Sequence, residues 1–280
     1  MAGPPHVRPL ACRTRWRDDA RVPTTRDYDT DPGRYRLGMR VTAAHGAPGA
    51  DLHARIVQLL LEAGAVRVLD IGCGDGTLAA TATGSPLQVI GIDAAAAMVR
   101  AAHRHGPTMR AEVTALAVAD AAVDAVVAVN VLDHLDRPEL GLREARRVLR
   151  PDGLFVAGTI SRADSPELAP IWQPAPTPFD TEDAAEPVAA AFGSVEVQAW
   201  DAPLITLPDR DAIRDFLCAR FVPLDEAERF ADALADRGPL PLPLTKRGAL
   251  VLARRTSGHH GVVPRMHRGC ESRHDSNCPS

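Results

Sequence analysis

The sequence predicts an α/β protein in which helices cover a mostly parallel sheet. Three stretches support this fold class. The apolar run at 68–71 is typical of a buried strand, and a glycine-rich turn and an alanine-rich helix follow it. The segment 88–93 repeats this order, with a strand that ends in an acid before a helix. The near-continuous apolar run at 124–130 is typical of a strand buried on both faces of a parallel sheet.

The other elements follow from residue spacing and from chain breakers. Apolar residues recur at helical spacing over 51–63, with Asp51 as a cap and Gly64 as a stop. Gly84, Ser85 and Pro86 end a helix over 77–83, and the turn at 151–153 ends an amphipathic helix over 137–150. The same patterns predict helices at 182–192, 210–220 and 225–237, and strands at 154–160, 195–200 and 244–253.

The composition limits the class of function. The chain has 280 residues, of which 45% are hydrophobic, so it can bury a full core. Its net charge of −4 argues against a nucleic-acid groove, which needs a basic face. Nearly all basic residues are arginines, since Lys246 is the only lysine. Aromatic residues make up only 4% and leave few platforms for base stacking.

The cysteines predict neither a disulfide framework nor a metal centre. They are odd in number and scattered, and no pair has C-x-x-C spacing. Cys270, His274 and Cys278 recur every four residues, but they lack a fourth ligand, so we expect no metal site. Because we find neither a membrane-length apolar run nor a hydrophobic leader, we expect a cytoplasmic protein without a membrane span.

The glycines at 72, 74 and 76 form the most informative motif. Glycine accepts positive φ and lets a ligand approach the backbone without a Cβ in the way. A strand, a tight glycine turn and a helix N-terminus together make a cradle for a nucleotide cofactor at the carboxyl end of a parallel strand. The G-x-G-x-G spacing differs from the G-x-G-x-x-G of dinucleotide-binding proteins. A glycine-rich turn in another kind of α/β protein is the alternative.

The stretch Val-Leu-Asp-Ile-Gly-Cys-Gly-Asp-Gly at 68–76 resembles motif I of the class I S-adenosylmethionine-dependent methyltransferases, usually (V/L)LD(I/V)GCGxG. The resemblance extends over about residues 50–255. It implies a Rossmann-like seven-stranded sheet of order 3-2-1-4-5-7-6, with the last strand antiparallel and helices on both faces. It also implies that S-adenosyl-L-methionine contacts the residues of this loop: Asp70, Gly72, Cys73, Gly74 and Gly76.

Asp93 is the candidate for ribose binding. It ends the second strand, close to the place where nucleotide-binding α/β folds put a carboxylate on the ribose hydroxyls. Its oxygens can accept both O–H groups at once. Capping of the helix that starts near Ala94 is an alternative role, and it is compatible with ribose binding. The resemblance adds Ala94 and Met98 to the cofactor contacts.

The resemblance also places Glu112 and Val113 beside the adenine ring. In the family an acid at the first position accepts a hydrogen bond from the adenine amino group, and the next backbone N–H reaches a ring nitrogen. The family residue there is usually Asp, and Glu112 is one methylene longer.

The end of the fourth strand is where we expect the mouth of the active site. Family members typically carry a V-L-H-H-L pattern there, and His134 matches its second histidine while Asp133 replaces the first. We expect Asn130 to lie beside the methionine part of the cofactor. His134 could act as a general base for a substrate hydroxyl, because its unperturbed pKa suits neutral pH. Bracing of the following short helix is the alternative role for His134.

The rest of the chain is expected to surround this domain, which we place at 26–255. In the family, the segment before the first core helix often folds over the cofactor as a lid, and Tyr28 within 26–50 resembles the lid tyrosine. A plain surface loop is the alternative. We expect 161–180 and 201–240 to elaborate the fold over the site, and Trp172 is a candidate for substrate contact. Residues 1–25 and 256–280 have no apolar period and are expected to be a disordered arm and tail.

The expected function is methyl transfer from S-adenosyl-L-methionine to an O, N or C nucleophile of a small molecule, such as a quinone precursor or a secondary metabolite. We expect no nucleic-acid partner, no membrane span and a monomer or homodimer. Two alternatives stay open. A nucleic-acid or protein methyltransferase would need a basic groove or a recognition domain, and a non-catalytic partner subunit would keep the cofactor loop without an acceptor pocket.

Overall fold

The computed structural model describes residues 28–29, 31–169 and 171–256 of the chain. They form one seven-stranded sheet with the strand order β3-β2-β1-β4-β5-β7-β6. This is the strand order that the sequence predicts. The strands are β1 (Arg67–Ile71), β2 (Gln88–Asp93), β3 (Thr108–Arg110), β4 (Val123–Val129), β5 (Leu149–Ile160), β6 (Val195–Leu207) and β7 (Leu242–Arg254).

The sheet is parallel from β3 to β5 and antiparallel at β7. β1 is central: Leu69 faces Ile90 of β2 on one side and Val126 of β4 on the other. The carboxyl ends of β1, β2, β4 and β5 therefore meet at one edge of the sheet, which we call the carboxyl edge. Loops that follow these strands supply the candidate site, as expected for an open α/β sheet.

Helices cover both faces of the sheet, because neighbouring side chains of a strand point to opposite faces. Leu69 of β1 lies in the core under α5 and α6, whereas Val68 lies in the core under α2 and α3. The helices are α1 (Pro32–His45), α2 (Leu52–Glu62), α3 (Thr77–Thr81), α4 (Ala96–Ala102), α5 (Pro138–Val148), α6 (Ala185–Phe192), α7 (Arg210–Cys218) and α8 (Leu224–Arg237). Short 3₁₀ turns lie at Leu132–His134 and Pro166–Leu168.

The sequence analysis missed the helix α1, which lies in the segment interpreted as a lid or a loop. Pro32 occupies the first turn and the Asp31 carboxylate caps it through the Arg34 N–H, which is a regular helix start. Only Val41 of this helix is buried, so the apolar period that reveals a helix is weak.

The strand β6 is longer than its sequence indicates. The pattern predicts a strand over 195–200, but β6 continues to Leu207 and pairs with β7 down to Leu242. Pro203 suggests a strand end, yet β6 is an edge strand, where a missing N–H is tolerated, and the register shifts between Pro203 and Ile205. β6 and β7 thus extend beyond the end of β5 as a two-stranded arm.

No helix among the described residues is long and apolar enough to cross a membrane. The predicted arm at 1–25 and nearly all of the predicted tail at 256–280, including Cys270, His274 and Cys278, lie outside the described residues. The described part holds no group of three or more His, Cys, Asp or Glu side chains placed to hold a metal ion.

Candidate functional site

The glycine loop joins β1 to α3 at the carboxyl edge. Gly72, Gly74 and Gly76 all have positive φ, at 70°, 56° and 88°. The loop is held by its own backbone: the N–H groups of Gly72 and Cys73 donate to the Ile92 carbonyl at 2.7 and 2.9 Å, and the Gly76 N–H donates to the Cys73 carbonyl. The predicted strand, turn and helix are therefore present, and most of the glycine N–H groups are used within the protein.

Asp93 ties this loop to the next helix. Its carboxylate accepts the Gly74 N–H and the Ala95 N–H, each at 2.9 Å. Ala95 is the residue that caps α4 and Asp93 accepts no N–H group of the helix's first turn, so Asp93 joins the glycine loop to the start of α4 without capping it. An ionised carboxylate has about four acceptor positions, so these two bonds leave others for a ligand. Partial burial raises the pKa of Asp93 above its usual value, against the two backbone bonds, which lower it.

Asp70 lies beneath the loop and is 5% exposed. Burial, and to a lesser degree the charge of Asp93, raises the pKa of Asp70 to about 7. Asp75 belongs to the same loop, and its carboxylate accepts the Thr77 hydroxyl at 2.9 Å. Three carboxyl groups thus surround the glycine turn.

The helix α1 carries Tyr35 onto this turn, a contact that the sequence analysis did not identify. The Tyr35 hydroxyl donates to Asp75 Oδ1 at 3.4 Å. A Cβ built on Gly74 would lie 2.2 Å from the Tyr35 hydroxyl oxygen, so only glycine fits under this ring. Burial, and secondly the charge of Asp75, raises the pKa of Tyr35.

The segment before α1 crosses the N-terminus of α4. The Asp29 carboxylate accepts the N–H groups of Ala96 and Ala97 at 3.1 and 2.7 Å, and Arg110 lies 3.9 Å from it. The next residue along the chain toward the N-terminus, Tyr28, packs edge-on against the Tyr35 ring, with 5.6 Å between the ring centroids. The sequence analysis predicted a role for Tyr28, but it missed Asp29 and Tyr35, because nothing in the local sequence shows which element they cross.

The end of β4 forms the other wall of the site. Asn130 is exposed and adopts a positive φ of 49°, a conformation that asparagine tolerates better than most residues. Val131 packs on the glycine loop so closely that a Cβ on Gly72 would lie 2.4 Å from it. The His134 ring is 6.2 Å from the Tyr28 ring, and its Nδ1 lies 3.5 Å from a carboxylate oxygen of Asp133. The structure therefore brings Tyr28, Asn130 and His134 to the same edge.

The other residues predicted to contact the cofactor differ in their exposure to solvent. Glu112 is exposed in the loop after β3, and its charge acts on Asp93. Val113 is buried in the core, and Met98 of α4 is fully buried. Ala94 is exposed, and its carbonyl accepts the Arg110 side chain at 2.8 Å. Cys73 is buried, and its sulfur lies where a Cβ on Gly91 would be placed, which supports a packing role.

Comparison with known proteins agrees with this geometry. Residues 69–157, which include the glycine loop, Asp93 and His134, match the family model described as a methyltransferase domain. The chain is 32% identical over 114 residues to the ubiquinone biosynthesis O-methyltransferase of Xanthomonas oryzae pv. oryzae, a match that covers 38% of this chain and 48% of the relative. The match thus spans about half the length of that relative.

Solved structures share the fold at low sequence identity. A methyltransferase of Thermotoga maritima, described as a possible histamine N-methyltransferase, superimposes with a TM-score of 0.53 at 16% identity, covering 83% of this chain and all of the other. The [4+2]-cyclase SpnF superimposes with a TM-score of 0.52 at 20% identity, covering 81% of this chain and 96% of the other.

The sheet order, the glycine loop and the family match together define a nucleotide-cofactor domain of the methyltransferase type. Residues 69–157 thus match a methyltransferase domain, in agreement with the motif I resemblance to the class I S-adenosylmethionine-dependent methyltransferases. S-adenosyl-L-methionine is the cofactor of this family.

Proposed function

We propose that the protein binds S-adenosyl-L-methionine at the carboxyl edge and transfers its methyl group to an O, N or C nucleophile of a small molecule. The observation that carries this proposal is the pairing of the glycine loop with Asp93, in which one carboxylate orders the loop and keeps acceptor positions for ribose hydroxyls. Asp70, Gly72, Cys73, Gly74 and Gly76 would then form the floor of the cofactor site.

The charges around the loop support this cofactor over a dinucleotide. The pyrophosphate of a dinucleotide needs free backbone N–H groups at the glycine turn and tolerates no excess of negative charge. Here the N–H groups of Gly72, Cys73 and Gly76 already have carbonyl partners. The carboxyl groups of Asp70, Asp75 and Asp93 suit a ligand with cationic groups. When bound, the cofactor supplies a methyl group on a positively charged sulfur.

The chain's own contribution to the reaction would be alignment and exclusion of water. Tyr28 and Tyr35 cover the loop from the side of α1, and Asn130 lies opposite at the end of β4. A nucleophile held in line with the methyl group reacts without further covalent help from the protein. For an O–H or N–H acceptor, His134 would receive the proton, and Asp133, which lies 3.5 Å from Nδ1, would stabilise the protonated ring.

The small-molecule acceptor is supported by the relatives and by the charge. The matched Xanthomonas protein is named for ubiquinone biosynthesis and for O-methyl transfer. The net charge of −4 does not favour a nucleic acid. Several expectations stay predictions. They are the cofactor contacts at Ala94, Met98, Glu112 and Val113, the domain limits at 26 and 255, a cytoplasmic location, and a monomer or homodimer.

A methyl-transfer assay tests the proposal. The protein is incubated with S-adenosylmethionine carrying a deuterated methyl group and a panel of phenols, amines and activated-carbon compounds, and products are detected by mass spectrometry. We expect S-adenosylhomocysteine and a product in which a CD₃ group has replaced one hydrogen of the acceptor. Tight cofactor binding without transfer to any member, or to a metabolite extract, would favour the non-catalytic partner subunit.

A further inference from the structure

The β6–β7 arm supports a cap over the carboxyl edge. The helices α7 and α8, the helix α1 and the 3₁₀ turn after β5 pack on the arm around a separate apolar core that includes Leu168, Phe216 and Leu244. Two backbone hydrogen bonds join the loop after β5 to β7: the Ser161 N–H donates to the Arg247 carbonyl, and the Ser165 N–H donates to the Thr245 carbonyl. The cap is therefore fixed to the sheet at the end of β5.

Two cations lie on one aromatic ring inside this cap. The Arg220 guanidinium carbon is 3.3 Å from the centroid of the Phe216 ring, and Lys246 Nζ is 5.7 Å from the same centroid. The Phe216 side chain is fully buried, and the Lys246 side chain is 14% exposed. The face of an aromatic ring attracts cations, but it does not neutralise two of them.

The cluster contains one carboxylate that pairs with a cation, and Lys246 uses it. Asp164 is 2% exposed and forms an ion pair with Lys246 Nζ, while its other oxygen accepts the Arg247 N–H at 2.8 Å. Glu167 is occupied by Thr245, whose N–H and hydroxyl both donate to it. Arg220 and Lys246 therefore face two carboxylates, Asp164 and Glu167, and Lys246 is the cation of this pair that makes a direct ion pair.

Arg220 keeps most of its donors. One guanidinium N–H donates to the Phe216 carbonyl at 3.0 Å, and within the described part of the chain Arg220 forms no ion pair with a carboxylate. The ring of Trp172 lies on its other side, 5.8 Å from the guanidinium carbon. Burial lowers the pKa of Arg220 to about 10, and burial together with Arg220 lowers that of Lys246 to about 8. The shift of Arg220 expresses the loss of water around its guanidinium, and that of Lys246 expresses burial and the nearby charge of Arg220.

The helix α1 connects the surroundings of Arg220 with the cofactor loop. On α1, Gly38 packs against Ala219, the residue before Arg220, and a Cβ on Gly38 would be 3.5 Å from that of Ala219. Tyr35, which rests on Gly74, is one helical turn earlier on the same face. One face of α1 thus contacts the glycine loop through Tyr35 and, one helical turn further on, the end of α7 next to Arg220.

We propose that Arg220, backed by Lys246, is the anchor for a carboxylate on the methyl acceptor, and that Trp172 lies along the acceptor's ring or chain. The inference rests on the proposed function, since it names the substrate class of that site. A carboxylate matches the planar fork of arginine with two parallel hydrogen bonds and gives the guanidinium of Arg220 a charged partner. Neutral acceptors of the same shape bind more weakly, because they leave the buried charge uncompensated.

The only lysine of the chain gives a direct readout. Protein grown with lysine labelled with ¹³C at the ε carbon shows a single ε resonance, from Lys246. This resonance is followed while benzoate is added, and benzamide serves as a neutral ligand of nearly the same shape. Titrations are made with and without S-adenosylhomocysteine, whose binding is measured separately on the same sample by calorimetry.

We expect a saturable shift with benzoate and none with benzamide. Loss of a charge-assisted bidentate contact in Arg220→Gln weakens benzoate binding by roughly tenfold or more. Arg220→Lys keeps the charge and loses the planar fork, so its affinity for benzoate lies between those of the wild type and of Arg220→Gln. Arg214→Gln on α7 is the matched control, because Arg214 is paired with Asp211 and Asp215, and it leaves binding unchanged.

Three results would overturn the inference: no saturable shift with benzoate in either titration, an equal response to benzamide, or unchanged benzoate binding by Arg220→Gln. Unchanged binding of S-adenosylhomocysteine in each variant shows that the fold is intact. Loss of benzoate binding alone leaves the proposed function standing. Failure of the wild-type protein to bind S-adenosylhomocysteine contradicts the proposed function instead.

Discussion

At the scale of single residues, Asp93 is the central residue of the candidate cofactor site. It accepts two backbone N–H groups, and we propose that its remaining acceptor positions bind the ribose hydroxyls. We expect Asp93→Ala to weaken binding of S-adenosylmethionine by about 2–3 kcal/mol, the contribution of charge-assisted hydrogen bonds. Asp93→Asn keeps the shape and one acceptor oxygen, so it should lose less of the binding free energy of S-adenosylmethionine. Calorimetry measures both, with Asp120→Ala as a control, since Asp120 is 76% exposed and pairs with Arg147. Unchanged affinity in Asp93→Ala would remove Asp93 from the site.

His134 tests the chemical step separately from binding. Its Nδ1 lies 3.5 Å from Asp133, and its ring contacts Tyr28. For an O–H acceptor, we expect His134→Ala to lower kcat by about 10²–10⁴-fold, the usual contribution of a general base, with cofactor affinity kept. Asp133→Asn removes the charge beside the imidazole, so it should move the pH dependence of kcat to lower pH. Normal turnover in His134→Ala would assign His134 to bracing of the 3₁₀ turn.

Asp70 couples the pH to the stability of the fold. Burial raises its pKa to about 7 from the ordinary value of 3.8 for this carboxyl group. Between these values the folded protein holds a proton that the unfolded chain has lost, so the free energy of unfolding falls as the pH rises from about 4 to about 7. The effect is on the order of a few kcal/mol. Urea unfolding of the wild type and of Asp70→Asn measures it, and this part of the pH dependence should be absent from the variant. Identical pH profiles would mean that Asp70 is not a buried, raised-pKa group.

At the scale of elements, the contact of α1 with the glycine loop is the least expected feature. Gly74→Ala places a methyl group 2.2 Å from the Tyr35 hydroxyl oxygen and adds a residue with positive φ. Gly84→Ala is the matched control, since Gly84 also has positive φ, at 83°, but nothing lies within 4 Å of its Cβ position. We expect Gly84→Ala to cost about 1 kcal/mol of stability through backbone strain alone, and Gly74→Ala to cost clearly more.

A double-mutant cycle isolates this contact. In a Tyr35→Phe background the hydroxyl is absent, so Gly74→Ala should cost less than it does in the wild type, while Gly84→Ala should cost the same in both. Thermal unfolding of the six proteins provides the values. Equal costs of Gly74→Ala in both backgrounds would show that α1 does not lie on the loop.

The sequence predicted well those elements whose own residues contain the pattern that determines them. β1, β2 and β4 are buried on both faces and read as apolar runs, and the glycine spacing shows where β1 ends. Asp70 and Asp93 lie at or near the ends of such strands, and their roles toward the cofactor stay predictions. α1 was missed because it buries little, and the second half of β6 was missed because Pro203 is tolerated only through the edge position. Contacts of Tyr35, Asp29 and Arg220 join distant segments, so no local pattern contains them.

At the scale of the whole molecule, the fold alone does not fix the reaction. The same sheet order supports a methyltransferase and, in SpnF, a cyclase. The function therefore depends on the charges at the carboxyl edge. Carboxyl groups surround the glycine loop, whereas the cap beyond α1 holds the guanidinium of Arg220 without a carboxylate ion pair among the described residues. This separation suits a cofactor with cationic groups on one side and an anionic acceptor on the other.

The charge distribution also predicts how the protein ranks its ligands. S-adenosylmethionine carries one positive charge more than S-adenosylhomocysteine, so raising the salt concentration should weaken its binding more. Calorimetry at two salt concentrations gives the comparison. An equal salt effect on both ligands would contradict the role assigned to the carboxyl groups.

The most direct test of the central claim is a calorimetric titration of the purified protein with S-adenosylmethionine, S-adenosylhomocysteine and NAD in parallel. We predict that the first two bind with a 1:1 stoichiometry and that NAD does not bind, because the glycine loop offers carboxylates rather than free N–H groups. Binding of NAD, or failure of both adenosyl ligands to bind the folded protein, would contradict the assignment of the glycine loop and Asp93 as the cofactor site.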